Sequence, residues 1–224
     1  MAFKEFNCPS CGAPVELEYR FTETVVCPYC HQTSHWTGEN FKAKGEKVIL
    51  ADYGSKFFIG LEATFTGNEG GKQKKYKFKV LGRIRFEYND GFWDEWLLHI
   101  EGYEEDEYWL QEDEGEFALF KRSDNLPSKT DYNSLKVGEY IQWGEYQIFI
   151  SEKAKAEIIG GEGVLPFKII PGEQCDFVDG IVVGKGVSTS IEYLPDNKVQ
   201  FYVSVYNLTI KDFVFNEKKE ENVY

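Results

Sequence analysis

Residues 76–100 read YKFKVLGRIRFEYNDGFWDEWLLHI, and this stretch decides the fold class. From Tyr76 onward, apolar and charged residues alternate, which is the period of a β-strand with one buried face. The triplet Asn89-Asp90-Gly91 is typical of a tight hairpin turn. In the returning segment, 93–100, both faces carry bulky residues, with Trp96 on one and Trp93 on the other. The stretch therefore predicts a hairpin whose second strand is central in a sheet.

The rest of the chain shows the same alternation of apolar and polar residues, but less regularly. Aromatic residues make up 17% of its 224 residues, and glycines recur between short apolar runs, which favours strands. Further strands are expected at 48–53 and 57–65. We predict an all-β protein with a β-barrel or sandwich body over residues 46–215, and two tandem subdomains, 46–123 and 135–215, are the alternative to a single body. Residues 216–224, rich in Glu and Lys, are expected to form a disordered tail.

Two Cys-x-x-Cys pairs precede this body, in Cys8-Pro9-Ser10-Cys11-Gly12 and Cys27-Pro28-Tyr29-Cys30-His31. Their spacing brings four soft thiolate ligands from two tight turns to one tetrahedral ion, and each proline suits the bend. The double pattern resembles the zinc-ribbon family over about residues 5–37. We therefore predict a ribbon domain at 1–45 with a structural Zn²⁺ bound by Cys8, Cys11, Cys27 and Cys30.

Three alternatives compete with zinc at these cysteines. They could form disulfides, hold iron in a rubredoxin-like site, or act as a redox dithiol, although the last usually accompanies a βαβ pattern. With four thiolates available, His31 and His35 are expected at the surface rather than as ligands. Cys175 stands apart from the pairs and is interpreted as a lone buried thiol.

Net charge limits the partners that we expect. The chain carries a formal charge of −13, and residues 1–45 hold four cationic side chains against five acidic ones. Nucleic acid is therefore not expected, since phosphate binding needs a surplus of Lys and Arg; the basic run 72–85 is the one local candidate. No apolar run is long enough to cross a bilayer, although peripheral membrane association stays possible. We expect a cytoplasmic protein whose partner is another protein.

Several short motifs of the body resemble one bacterial family, the domain of unknown function numbered 4178. They are Leu81-Gly82-Arg83-Ile84, Trp93-Asp94-Glu95-Trp96, Tyr108-Trp109-Leu110, Glu112-Asp113-Glu114-Gly115, Glu162-Gly163-Val164-Leu165-Pro166, Asp176-Phe177 and Ser190-Ile191-Glu192-Tyr193. The resemblance spans about residues 50–210. Val164 departs from it, because the family usually has a carboxylate at that position.

The resemblance implies an association with membrane-stress systems of the phage-shock type and no established activity. We therefore expect a zinc-binding, non-catalytic adaptor linked to a bacterial membrane- or envelope-stress system. The candidate functional residues are Trp93, Glu95, Trp96, Asp176 and Glu192.

The alternative is an enzyme that uses Glu95, His99, Asp176 or Glu192 in the mouth of a barrel. A general base at Glu95 would need a cleft and a raised pKa, and the sequence reveals neither. The simpler interpretation is that Glu95 and the tryptophans fix the register of the sheet.

Overall fold

The computed structural model describes residues 4–17, 19–89, 91–195 and 197–215, and within them the fold is all-β, as predicted. The strands are β1 Lys4–Asn7, β2 Pro14–Leu17, β3 Thr24–Val26, β4 Thr33–Trp36, β5 Phe41–Ala43, β6 Glu62–Glu69, β7 Lys72–Tyr88, β8 Gly91–Ile100, β9 Tyr108–Asp113, β10 Glu116–Ser123, β11 Tyr140–Trp143, β12 Tyr146–Leu165, β13 Gln174–Val182, β14 Val187–Tyr193, β15 Val199–Leu208 and β16 Phe213–Phe215. Two 3₁₀-helices, Tyr132–Ser134 and Ile210–Asp212, join them. No helix among the described residues is long and apolar enough to span a bilayer.

Eight antiparallel strands form a closed ring in the order β7, β8, β9, β10, β15, β14, β13, β12 and back to β7. The ring is a barrel. Strands β7–β10 come from the first proposed half of the body and β12–β15 from the second, so the two segments share one ring. An internal duplication stays a prediction.

The seam that closes the ring, between β7 and β12, is built from glycine. A Cβ atom on Gly82 would lie 2.1 Å from the carbonyl oxygen of Val164, and one on Gly163 would lie 2.2 Å from that of Leu81. Gly163 also has a φ of +70°, which side chains disfavour. Any larger residue at either position would push the two backbones apart, so these glycines allow the barrel to close.

The ribbon is attached to the same seam. Strands β1 and β2 form a separate two-stranded sheet, whereas β3 pairs with β12 and continues through β4 to β5. Gly163 of β12 lies opposite Val26 of β3 on one side and Gly82 of β7 on the other. The ribbon therefore extends the sheet of the barrel instead of hanging from a linker.

Alternation along each strand divides the apolar side chains between the inside and the outside of the ring. In the Trp93–Trp96 motif, Trp93 faces the interior, while Trp96 lies in an outer core with Phe57 and Phe213. A second outer core, around Leu135 and Phe201, covers the opposite wall. The predicted hairpin and the two bulky faces of its second strand are thus confirmed.

Some strand boundaries differ from those expected. Residues 44–61 contain no strand, and β6 begins at Glu62, so the strand predicted at 48–53 is wrong and the one predicted at 57–65 is misplaced. Leu50 and Phe57 are buried, whereas Ile49 and Tyr53 are exposed, and β12 occupies the edge of β7 that a strand here would need. Asp90 and the tail 216–224 lie outside the described residues. Asn89, with a φ of +52°, supports the turn beside Asp90.

Candidate metal centre and neighbouring cavities

Both Cys-x-x-Cys segments fold into the same knuckle. In the first, the Gly12 amide donates to the carbonyl of Cys8 at 2.8 Å; in the second, the His31 amide donates to that of Cys27 at 2.9 Å. The residue after each second cysteine is left-handed, with φ of +77° at Gly12 and +57° at His31. His31 thus adopts the conformation that glycine supplies in the first knuckle.

The two knuckles bring all four thiols together. Their Sγ atoms lie within 4.8 Å of one another, and the Cys8–Cys30 and Cys11–Cys27 pairs are 3.8 Å apart. A tetrahedron with metal–sulfur bonds of about 2.3 Å has edges of about 3.8 Å. A disulfide needs about 2.05 Å, and the cysteines are free. The cluster therefore fits one tetrahedral cation and not a pair of disulfides.

The thiols perturb each other's proton affinity. Burial raises the pKa of Cys27 to about 12. Burial acts in the same direction at Cys30, but hydrogen bonds from the Gln32 backbone and the neighbouring thiols lower its pKa to about 7. Binding of a metal ion requires thiolates, so a divalent cation would displace the protons that the cluster otherwise keeps.

The two histidines near the cluster do not behave alike. His31 is half-buried in its knuckle, whereas His35 is buried on β4, with Nε2 2.7 Å from the carbonyl oxygen of Ile169. Burial lowers the pKa of His35. The prediction of a surface position is therefore wrong for His35, which ties the ribbon to the loop after β12. Cys175 is a lone buried thiol, as predicted.

A second feature lies inside the barrel, where a cavity of about 210 Å³ is lined by at least one residue from each ring strand. The acidic and amide side chains on its wall are Glu95, Gln111, Asp113, Glu152, Asp179 and Glu192. Asp113, at the end of β9, is exposed, so the cavity reaches solvent beside it. We call this space the barrel cavity.

Glu95 lies in the barrel cavity with Trp93, whose indole N–H donates to Glu95 Oε1 at 3.0 Å. Burial raises the pKa of Glu95 to about 7, and the negative charges of Asp179 and Asp94 act in the same direction. The cavity and this pKa are the two features that a catalytic base requires. The enzyme alternative therefore stays a prediction with a structural basis.

Two further carboxyls of the barrel cavity lack a full set of partners. Glu192 is only 7% exposed. Its Oε2 and Oδ1 of Asp179 are buried atoms that have no hydrogen-bond partner among the described residues. Burial and the neighbouring carboxylates raise the pKa of Glu192 well above its usual value, and burial raises that of Asp179 to about 6. Unpaired buried carboxyl oxygens are costly, which is unusual for a purely structural wall.

The remaining singled-out residues lie elsewhere. Trp96 faces outward, with its N–H 2.9 Å from Glu112. Asp176 also faces outward and pairs with Lys155 at 3.1 Å. His99 lies opposite Lys79 on a surface groove. The structure thus brings Trp93, Glu95 and Glu192 together and separates them from Trp96, Asp176 and His99.

Asp94, between Trp93 and Glu95, has the opposite environment. It faces outward and is buried, and both its oxygens accept hydrogen bonds from Arg83 and Arg85 at 2.7–3.0 Å. Part of the basic run 72–85 is therefore used internally. Asp94 is thus neutralised by two arginines, whereas its neighbour Glu95 on the same strand has no cationic partner among the described residues that line the barrel cavity.

Sequence reasoning missed Asp179 and Glu152 as members of the barrel cavity. The only available signal was alternation along β13, where Cys175, Phe177 and Asp179 fall on the same face. Nothing in that pattern says which strand faces β13 across the barrel.

A third feature is an apolar groove of about 380 Å³ between the ribbon and the barrel. Its walls are β2 and the second knuckle, the loop carrying Phe58 and Ile59, and the seam strands β7 and β12. Phe58 and Ile59 are 41% and 37% exposed. We call this space the junction groove, and one of its walls includes the metal ligand Cys27.

No family model, curated protein or solved structure matches the chain.

Proposed function

We propose that this chain is a non-catalytic adaptor, in which a structural zinc ion holds the ribbon and the junction groove docks an apolar segment of another protein. The observation that carries the proposal is the shared wall: the knuckle that supplies Cys27 also supplies Pro28 and His31 to the groove. Metal binding and docking would therefore depend on each other.

Zinc is supported by the donor set. Four thiolates at tetrahedral separations suit Zn²⁺, which has no redox chemistry of its own and commonly serves as a structural ion in such ribbons. Iron would fit the same geometry. Elemental analysis of protein freshly purified under reducing conditions separates the two: we expect one zinc per chain, and one iron would overturn the zinc assignment.

The chemistry of the groove suggests the occupant. Large apolar side chains at its rim, Phe58 and Ile59, stay partly exposed in the isolated chain. Exposed apolar surface of this kind is typical of interaction sites. Glu16 at the rim is exposed, and the chain carries a charge of −13. We therefore propose an apolar peptide segment flanked by Lys or Arg as the occupant.

A membrane surface is the competing occupant. Anionic lipid headgroups attract basic proteins, so the charge of −13 disfavours it. A link to a bacterial envelope-stress system, and kinship with the family numbered 4178, are proposals that rest on the sequence motifs alone.

Site-specific photo-crosslinking in cells tests the docking. We expect a crosslinker at Ile59 to capture one protein through a peptide that is apolar with basic flanks. A crosslinker at Val214, which is 55% exposed on β16, is the matched control and should not capture it. Adding Cys30→Ser to the Ile59 probe should abolish capture, because the knuckle wall is lost.

Two outcomes would contradict the adaptor role. One is equal capture at Ile59 and Val214, which would indicate a non-specific surface. The other is crosslinking of Ile59 to lipid together with flotation of the protein on anionic vesicles, which would identify a membrane as the occupant.

A further inference from the structure

We propose that the barrel cavity binds a small organic cation carrying a primary ammonium group. This site lies inside the ring and is separate from the junction groove, so the inference goes beyond the adaptor role. It rests on unpaired acceptors, the charge they impose, the aromatic wall beside them, and the size of the space.

The acceptors are the first argument. Oε2 of Glu192 and Oδ1 of Asp179 are buried in the wall of the barrel cavity with no hydrogen-bond partner. By contrast, the buried carboxylate of Glu107 has hydrogen-bond donors for both of its oxygens: it accepts from Trp109 at 2.8 Å, Arg122 at 3.0 Å and Tyr202 at 3.2 Å. The two unpaired oxygens therefore suit a donor supplied by a ligand.

The charge of the wall is the second argument. Glu95, Asp179 and Glu192 interact with one another, and each is held toward its neutral form by burial. An ammonium group beside them would favour the ionised forms and supply charge-assisted hydrogen bonds. A bound cation would thus offset the free-energy cost of burying these carboxylates, whereas a bound anion would increase it.

An aromatic surface stands beside these carboxyls. The ring centroid of Trp93 lies 5.2 Å from that of Phe86 and 5.7 Å from that of Phe177. All three side chains line the barrel cavity. Aromatic faces attract cations and accept aliphatic carbon. This wall suits the carbon chain of an organic cation better than a hydrated inorganic ion.

Size points the same way. Among the described residues, the cavity carboxyls do not form a group close enough to hold one metal ion, unlike the four cysteines. The volume of about 210 Å³ far exceeds the ~10–15 Å³ that a single water needs. It is smaller than the ~300–1,000 Å³ of typical drug-sized sites. The space therefore favours a ligand of a few carbon atoms.

Isothermal titration calorimetry on the zinc-loaded full chain tests the site, with n-butylammonium chloride and guanidinium chloride as probes at constant ionic strength in phosphate buffer. We expect saturable binding of butylammonium, and weaker or no binding of guanidinium. The neutral alcohol n-pentanol, which has one heavy atom more than butylamine, and potassium chloride should give no saturable signal.

Three variants locate the binding. Glu192→Gln and Glu95→Gln should each weaken butylammonium binding at least tenfold, because each removes one negative charge from the wall. Glu157→Gln removes an exposed charge from the outer face of β12 and should change affinity less than twofold. Thermal melting of each variant verifies folding, and the two cavity substitutions keep side-chain shape, so either one suffices if the other fails to fold.

The inference is overturned if butylammonium shows no saturable binding up to about 50 mM, a concentration that covers even millimolar affinities. It is also overturned if n-pentanol binds equally well, or if Glu157→Gln weakens binding as much as Glu192→Gln does. Because the ribbon and the junction groove are unchanged in these variants, failure here leaves the adaptor proposal standing.

Discussion

The ribbon and the barrel interior both crowd ionisable groups into a small space, and they differ in how that charge is compensated. In the ribbon, four thiols converge to within 4.8 Å, a distance that suits a single point cation. In the barrel, Glu95, Asp179 and Glu192 come from three different strands to one cavity, and burial raises the pKa of each. The comparison shows that local spacing can specify a metal site, whereas a cavity depends on how distant strands close.

Removing the metal should have the largest effect, and it should be confined to one of the two regions. Structural zinc in small ribbons supplies about 10–16 kcal/mol of apparent binding free energy. We expect Cys27→Ser, or chelation, to abolish protection of residues 24–36 in hydrogen exchange while the ring strands stay protected. Cys175→Ser, which removes the lone thiol, should keep one metal per chain. Equal metal content in the two variants would refute the ligand assignment.

The next largest effect should come from Asp94, which is the compensated neighbour of Glu95. Asp94→Asn removes the carboxylate that the buried guanidinium groups of Arg83 and Arg85 share, and Arg83 keeps only its half-buried second partner Glu162, at 3.1 Å. Breaking a buried ion pair in this way costs about 3–5 kcal/mol. Urea denaturation measures the loss, and a cost below about 1 kcal/mol would show that the network contributes little.

The uncompensated neighbour should respond in the opposite direction. Burial raises the pKa of Glu95 to about 7 in the folded chain, whereas its pKa in the unfolded chain is the ordinary 4.5. The folded state thus binds more protons between these values, so the stability that Glu95 provides is present below pH 4.5 and lost as the pH rises through 7. The loss should be on the order of 3 kcal/mol.

We therefore expect Glu95→Gln to unfold at a higher urea concentration than wild type at pH 8, and to lose less stability between pH 5 and pH 8. Phosphate buffer is needed, since amine buffers could occupy the barrel cavity. An identical pH profile for the two proteins would show that Glu95 ionises normally.

The smallest effect should come from Asp176, which the sequence motifs grouped with the candidate functional residues. Its partner Lys155 is more than half exposed, and pairs of this kind contribute about 0–1 kcal/mol. We expect Asp176→Asn to change neither stability beyond that range nor butylammonium affinity. A tenfold loss of affinity would place Asp176 in the site after all.

The sequence predicts the metal cluster of the ribbon but not the barrel cavity. Cys8 and Cys11 are three positions apart, so turn chemistry alone brings their sulfurs together, and the cluster was predictable residue by residue. Alternation also assigned opposite faces to Trp93 and Trp96. These are local properties of one turn or one strand.

The barrel cavity could not be predicted, because no local pattern says that β8 and β14 face each other across a ring. Glu95 and Glu192 are far apart in the chain, and their raised pKa values arise only after the eight strands close. The same limit explains residues 48–53. Within this segment Leu50 is buried while Ile49 and Tyr53 are exposed, and the place that a strand would need beside β7 is occupied by β12, a much later segment.

The glycine seam has a consequence for how the chain folds during its synthesis. Synthesis proceeds from the amino terminus, so β7 emerges well before β12, the strand that will seal it. Until β12 arrives, the backbone groups of Arg83–Phe86 form an open edge, and Gly82 offers no side chain to shield it. Open edges invite pairing with other chains. The period between the emergence of these two strands is therefore when the nascent polypeptide is most exposed to aggregation.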